Sequence, residues 1–310
     1  MLPDPLASQP PSTIAVAGAT GLIGAALIQQ LVAHGHTVRR LLHSSRGARE
    51  GDLVWDAERD ELPPAALEGV DAVVNLAGAP VARRWTAERK REIRDSRVTG
   101  TQKLARAIAA MDRKPRVLLN GSAVGYYGDR GDEVLSESSA PGNDFLAGVV
   151  VEWERATAPA ADAGVRVVLV RTGIVLAAHG GALGKMLPPF RLGMGGPLGS
   201  GEQWMSWIAL EDQLRALEHA LFVDRVSGPL NLVSPNPVRN SHFVTTLGRV
   251  LTRPALIPVP AVALDLLYGE MARGTILASQ RALPTALAAS GFDFRHPTLE
   301  GALRAVLAAA

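Results

Sequence analysis

Apolar positions along the chain fall into two alternating patterns. Ile14–Ala17, DAVVNLAG (Asp71–Gly78), RVLLNGS (Arg116–Ser122) and VRVVLVR (Val165–Arg171) are short, rich in β-branched residues and apolar on both faces. Runs of that length and character predict strands buried within a parallel sheet. Amphipathic stretches separate them. After Gly24, Ala25, Ile28, Leu31 and Val32 share one helical face until Gly35 supplies a stop. Thr37–Leu42 reads as a further strand, and Thr86–Ala110 and Phe145–Ala161 as helices. Strands alternating with helices predict an α/β fold built on a doubly wound parallel sheet.

The pattern changes after Arg171. Residues 180–201 are glycine-rich and lead into the aromatic cluster QWMSWI (Gln203–Ile208). A helix (Glu211–Val223) and a strand (Pro229–Val233) read as a return to the sheet, and from Pro235 onward the chain is helix-rich and punctuated by prolines. The first twelve residues, MLPDPLASQPPS, hold four prolines and neither a basic nor an apolar stretch, so they predict a disordered lead-in over 1–12 and not a signal peptide.

Composition narrows the classes of partner. Thirty-two basic residues against 30 acidic ones give a net charge of +2, without the excess of Lys and Arg that a nucleic-acid binder shows. There is no cysteine, which excludes thiolate chemistry and disulfides. The histidines lack metal-ligand spacing, so no metal is expected. No apolar run approaches the ~20 residues of a membrane span. The expectation is a soluble cytoplasmic protein, with no membrane or nucleic-acid partner, acting on a small molecule.

The strongest chemical signal is IAVAGATGLIG (Ile14–Gly24). Three glycines could be no more than a tight turn. Here they follow a buried strand, open an amphipathic helix and lie in one strand–helix–strand unit, the context a dinucleotide site requires. Gly18 permits the sharp turn, Gly21 lets backbone approach a pyrophosphate, and Gly24 lets helix and strand pack closely. The second strand then selects the cofactor. An NAD site places Asp or Glu near its end to meet the ribose 2′-OH. VRRLLHSS (Val38–Ser45) has no carboxylate before Glu50, and Arg39, Arg40, His43 and Arg46 surround that position with Ser44 and Ser45. Cations suit the additional 2′-phosphate of NADP(H).

The spacing G-x-x-G-x-x-G resembles that of the extended and atypical branches of the short-chain dehydrogenase/reductases. Beyond it, VVNLAGAPV, RWTAERKREIRDSRVTGT, GSAVGYYGD, VRTGIVLAAHGGALGKMLPPFRLGMGGPLGSG, QWMSWIALED, NLVSPNPV and GFDF are similar to the YfcH-like family, named as nucleoside-diphosphate-sugar epimerases. The similarity covers nearly all of residues 13–307. It implies a Rossmann fold with a smaller C-terminal substrate domain and NADP(H) as cofactor. The division expected is a dinucleotide-binding part over 13–175, with 209–234 returning to it, and a substrate-side lobe over 176–208 and 235–310. Carried over by motif, Gly18, Thr20, Gly21, Leu22, Ile23 and Gly24 would hold the pyrophosphate. Arg40 or Arg46, with His43 and Ser44, would meet the 2′-phosphate. Asn75, Leu76, Ala77 and Gly78 would line the adenosine side, Ser122 would sit beside the nicotinamide, and Thr172 and Gly173 would border it.

The same comparison shows what has gone. Extended members use Ser/Thr with Y-x-x-x-K, whose phenol transfers the proton while the amine lowers its pKa from about 10. In APGNDFLAGVVVEWE those two positions are Phe145 and Val149. The asparagine of N-V-x-G-T is Arg97, and the arginine–aspartate pair that grips a nucleotide-sugar diphosphate is Met205-Ser206. Ser122, Tyr126 or Tyr127, and Arg97 remain as catalytic candidates, with Lys185, Arg191, Trp204 and Trp207 on the substrate side. Two functions stay open: an NADP(H)-dependent oxidoreductase or epimerase on a small molecule, and a non-enzymatic NADP(H)-binding regulator or redox sensor.

Overall fold

The computed structural model describes residues 9–57 and 59–308. The lead-in expected over 1–12 lies mostly on residues 1–8, outside the described residues. The chain then runs β1 (Thr13–Ala17), α1 (Leu22–Ala33), β2 (Thr37–Leu42), β3 (Leu53–Val54), β4 (Ala72–Asn75), α2 (Ala87–Ala109) and β5 (Val117–Ala123). A 3-10 turn (Val124–Tyr127), β6 (Val134–Leu135), α3 (Phe145–Arg155), α4 (Ala158–Asp162), β7 (Arg166–Thr172), β8 (Ile174–Leu176) and α5 (Gly181–Arg191) follow. The remainder is β9 (Trp204–Met205), β10 (Trp207–Ala209), α6 (Leu210–Phe222), β11 (Gly228–Leu232), β12 (Val238–Arg239), α7 (Asn240–Leu251), α8 (Ala261–Tyr268), β13 (Arg281–Ala282), α9 (Thr285–Ala289) and α10 (Leu299–Ala308).

Seven strands form one parallel sheet in the order β11-β7-β5-β4-β1-β2-β3. The alternation of side chains in β1 explains its burial. Ile14 and Val16 pack with Leu27 and Leu31 of α1 and Leu217 of α6 on one face. Ala15 and Ala17 pack with Leu104 and Ile108 of α2 on the other. Fully burying one such Leu or Ile contributes about 1.5–3 kcal/mol, so the central strands stay apolar on both sides. A third cluster joins Leu183, Leu187 and Phe190 of α5 to Trp207, Phe243 and Leu303.

Strand order reverses between β1 and β4. From β1 the chain winds outward to β2 and β3, whereas β4 leads the other way to β5, β7 and β11. In an open α/β sheet the crevice for a ligand forms at the carboxyl ends of the strands flanking that reversal. Among the described residues, no helix is long and apolar enough to cross a membrane.

Two expected elements differ in extent or kind. The helix expected over Phe145–Ala161 is two, α3 and α4, separated at Ala156-Thr157. Pro159, in the first turn of α4, has no N–H to continue α3. Residues 181–191, within the glycine-rich stretch 180–201 for which no helix was expected, form α5 despite Pro188 and Pro189, because Leu183, Leu187 and Phe190 bury one face.

Candidate functional site

The glycine turn sits at the reversal. Gly18 has φ +79°, and a Cβ there would lie 2.6 Å from the Leu76 carbonyl carbon, so the position demands glycine twice over. Gly24 brings α1 onto the turn so closely that a Cβ would lie 2.2 Å from Gly18 O. Between them Gly21 caps α1. It has no side chain to occupy the first-turn N–H groups, no acid stands in that turn, and its own N–H donates to Gly18 O at 3.0 Å. The helix start therefore presents unfilled amides and the positive end of its dipole to whatever lies in front of it.

In front of it lies a cleft of about 420 Å³. Its walls are Gly18, Gly21, Leu22, Ile23 and Gly24 from the turn, Leu76 after β4, Gly121 and Ser122 of β5, and Trp153 of α3. Thr172 at the end of β7, Gly173, Ile174 and Val175 of β8, and Gly181 and Ala182 at the start of α5 complete it. Diphosphate oxygens fit such a cradle of Cβ-free backbone and open amides. Thr20 is exposed on the turn and is not part of the cleft wall.

At the end of β2, Arg40 is not available as expected. Its Nε donates to Asp52 Oδ1 at 2.9 Å, its Nη2 also meets Asp52 and reaches Gly47 O, and its hydrogen bonds, more than its charge, hold the Asp52 carboxyl below the usual range. Sequence distance hid this pairing, because Asp52 lies beyond the strand end. His43, Ser44 and Arg46 are exposed on the loop that this ion pair closes. His43, with 72% of its side chain exposed, stands 3.5 Å from Asp56.

Ser122 carries an unexpected partner. Its hydroxyl donates to Glu154 Oε1 at 2.6 Å, from the last turn of α3. Arg171, at the end of β7, grips the same carboxylate with Nε on Oε1 (2.8 Å) and Nη2 on Oε2 (2.9 Å). Its side chain is only 3% exposed. Burial alone would lower the Arg171 pKa, but the Glu154 carboxylate more than offsets this and the guanidinium is held charged. Because an ionised carboxylate only accepts, Ser122 is oriented as a donor to Glu154 and turns acceptor lone pairs to the cleft.

The two tyrosines separate. Tyr127 is fully buried, donates to Asn231 Oδ1 at 2.7 Å and receives Arg171 Nη1 at 3.2 Å. Burial pushes its phenol up, against the pull of Arg171. It is an interior strut and not the expected proton donor. Tyr126 is half-buried with the Arg171 guanidinium 3.4 Å above its ring, and its hydroxyl has no hydrogen-bond partner among the described residues.

Other expected residues are placed differently. The Asn75 amide is buried and donates to Thr101 and Asn120, tying β4 to α2 and β5, so it positions the loop from within while Leu76 reaches the cleft. Ala77 packs into the core. Gly78 is exposed beneath Arg97. Trp207 is fully buried and donates to Asn236 O, which makes it core. Trp204 donates to Asp132, and Arg239 and Arg281 lie 4.5 and 4.3 Å from its ring centroid. The guanidinium groups stacked on that ring leave little room for a ligand. Lys185 is exposed one turn beyond Gly181 on α5, whereas Arg191 is exposed at the far end of that helix, ~15 Å along its axis.

Glu154, Arg171, Trp153, Gly121, Gly181, Ala182 and Asp52 escaped sequence reasoning. One signal was present: Arg171 lies at the end of a strand whose middle, Val167–Val170, is apolar, and a charge buried with such a strand requires a partner.

The chain matches the NAD dependent epimerase/dehydratase family over residues 14–231 and a domain of unknown function, DUF1731, over residues 259–306. An epimerase family protein of Mycobacterium bovis is 47% identical over 293 residues, 94% of this chain and 96% of that one. The crystal structure of human epimerase family protein SDR39U1 (isoform 2) with NADPH is 36% identical, with a TM-score of 0.87 over 95% of this chain and 98% of that one. A nucleoside-diphosphate sugar epimerase structure from Corynebacterium glutamicum is 38% identical, with a TM-score of 0.77 over 95% of this chain and 57% of that one.

Proposed function

The chain belongs to the NAD dependent epimerase/dehydratase family, and on that premise we propose that it binds NADP(H) in the cleft before α1 and acts as an oxidoreductase on a small molecule held at Ser122. The observation that carries this is the uncapped start of α1 opening on a cleft whose opposite wall includes a serine with a dedicated carboxylate. The human relative crystallised with NADPH supports the choice of cofactor. So do His43, Ser44 and Arg46, exposed where the 2′-phosphate would lie. In this reading residues 13–175 with 209–234 carry the cofactor, and 176–208 with 235–310 form the substrate side.

When bound, the nicotinamide supplies hydride chemistry. The chain's own residues manage the proton. Ser122 accepts the hydrogen of a substrate hydroxyl, and its own proton passes to Glu154 Oε1. Arg171 fixes the carboxylate, and Tyr126 is the phenol left to assist. Phe145 and Val149 take no part. Nucleotide-sugar epimerisation is not supported, because Met205 stands at the position of the diphosphate-gripping arginine and Ser206 is buried, receiving Ala282 N and donating to Gln280 O.

Turnover is sought with NADPH against carbonyl compounds and UDP-sugars, and with NADP⁺ against alcohols. Ser122→Ala is expected to lower it about 10²-fold or more while NADPH affinity changes little. Undiminished turnover in Ser122→Ala contradicts the assignment. NADPH binding without turnover on any compound favours the second reading, a non-enzymatic NADP(H) sensor, which the apolar pair Phe145 and Val149 also fits.

A further inference from the structure

Arg97, on α2, differs from the other half-buried and buried arginines around it. Arg40, Arg89 and Arg171 each meet a carboxylate. Arg97 meets none among the described residues. Its Nη1 donates to two backbone carbonyls, Ala79 O and Ile93 O, both at 3.0 Å. Its Nε and Nη2 have no partner among the described residues, yet they are not sealed from solvent as Arg89 Nε is. Those two nitrogens form the side-on fork of the guanidinium. It is the edge with which Arg171 grips Glu154. In Arg97 that edge stands open.

The surroundings are built for this side chain. A Cβ on Gly78 would lie 3.0 Å from Arg97 Cζ, so the absence of a side chain there leaves the guanidinium its place. The Trp153 ring stands 5.2 Å from Arg97 Cζ and itself lines the cleft, as does Leu76 two residues before Gly78. Burial, and then the neighbouring charge of Arg89, push the Arg97 pKa down to about 10, so it stays protonated at neutral pH. A cation held in apolar surroundings without a counter-ion is destabilised until an anion arrives.

We propose that the open Nε/Nη2 fork of Arg97 binds an oxyanion of the substrate, a carboxylate or a phosphate. This rests on the cofactor reading above and adds the substrate class to it. On that reading the cofactor's own phosphates would have other partners: the diphosphate would be held by the amides of Gly21 and α1, and the 2′-phosphate by the loop at the end of β2, whereas Arg97 stands over the loop after β4. The fork matches two coplanar oxygens, and a bidentate pair fixes orientation as well as charge.

The test titrates the full chain by calorimetry at constant ionic strength, using NADPH alone and then inorganic phosphate or malonate on protein saturated with NADP⁺. The expected result is millimolar binding of phosphate or malonate that weakens at least tenfold in Arg97→Gln and less in Arg97→Lys, with NADPH affinity within twofold of wild type in both. Arg97→Lys keeps the charge without the fork and serves should Arg97→Gln not fold. Unchanged anion affinity in the variants overturns the proposal, as does its absence from wild type. A parallel loss of NADPH affinity also overturns it, since the occupant is then the cofactor's diphosphate. Failure of wild type to bind NADPH at all is a separate result and removes the cofactor reading itself.

Discussion

Two glycines with opposite surroundings show how finely the cofactor turn is fitted. A methyl group on Gly24 would overlap Gly18 O at 2.2 Å, and the obstacle is backbone that cannot swing aside. Gly24→Ala is expected to lose about 1–3 kcal/mol of stability in urea unfolding and to lose the NADPH-induced rise in melting temperature. Gly148, exposed within α3 and not at positive φ, meets nothing within 4 Å of an added Cβ. Gly148→Ala is expected to gain about 0.5–1 kcal/mol, because the substitution relieves only the helix cost of glycine. Equal effects from the two changes would mean that close packing at Gly24 is not what the turn requires.

At the scale of elements, the proposed preference for NADP(H) rests on the loop of residues 43–52 after β2. Arg40 and Asp52 close it, Gly47 O accepts from Arg40, and Arg49 N donates to Asp52, which leaves Arg46 outside the network. Arg46→Ala is expected to weaken NADPH binding about tenfold and leave NADH unchanged, measured by calorimetry at low salt. Equal loss for both cofactors would move the 2′-phosphate contact elsewhere. The elements themselves were largely legible. The strands β1, β4, β5 and β7 are largely apolar runs packed on both faces, which leaves little ambiguity, and α2 begins after Thr86, whose hydroxyl receives Arg89 N. The helix α5 was not legible, because Pro188 and Pro189 argue locally against it and only burial of Leu187 and Phe190 overrides them. The site was legible where backbone makes it, at Gly18, Gly21 and Gly24. It was not legible where partners come from distant segments: Ser122 with Glu154, Arg40 with Asp52, and Tyr127 with Asn231.

For the whole molecule, pH reaches the core through histidines far from the cleft. His36 is 4% exposed, is stacked on Phe222, and neither ring nitrogen has a partner. Burial lowers its pKa, Glu218 opposing, and burial likewise lowers that of His219. Both values lie below the ordinary 6.5, so on acidification the unfolded chain takes up protons first. Stability present above that pH is lost as pH falls through and below it. Melting temperature is expected to fall from pH 7 to pH 5, and less steeply in His36→Phe, which keeps the stacking; identical slopes would assign the acid sensitivity to other groups. The central claim concerns the cleft itself and is tested most directly by thermal unfolding of the wild-type chain with equal concentrations of NADPH and NADH. A ligand that binds only the native state raises the melting temperature in step with its affinity. The larger rise is expected with NADPH, and equal rises, or none, would contradict the assignment of this cleft to NADP(H).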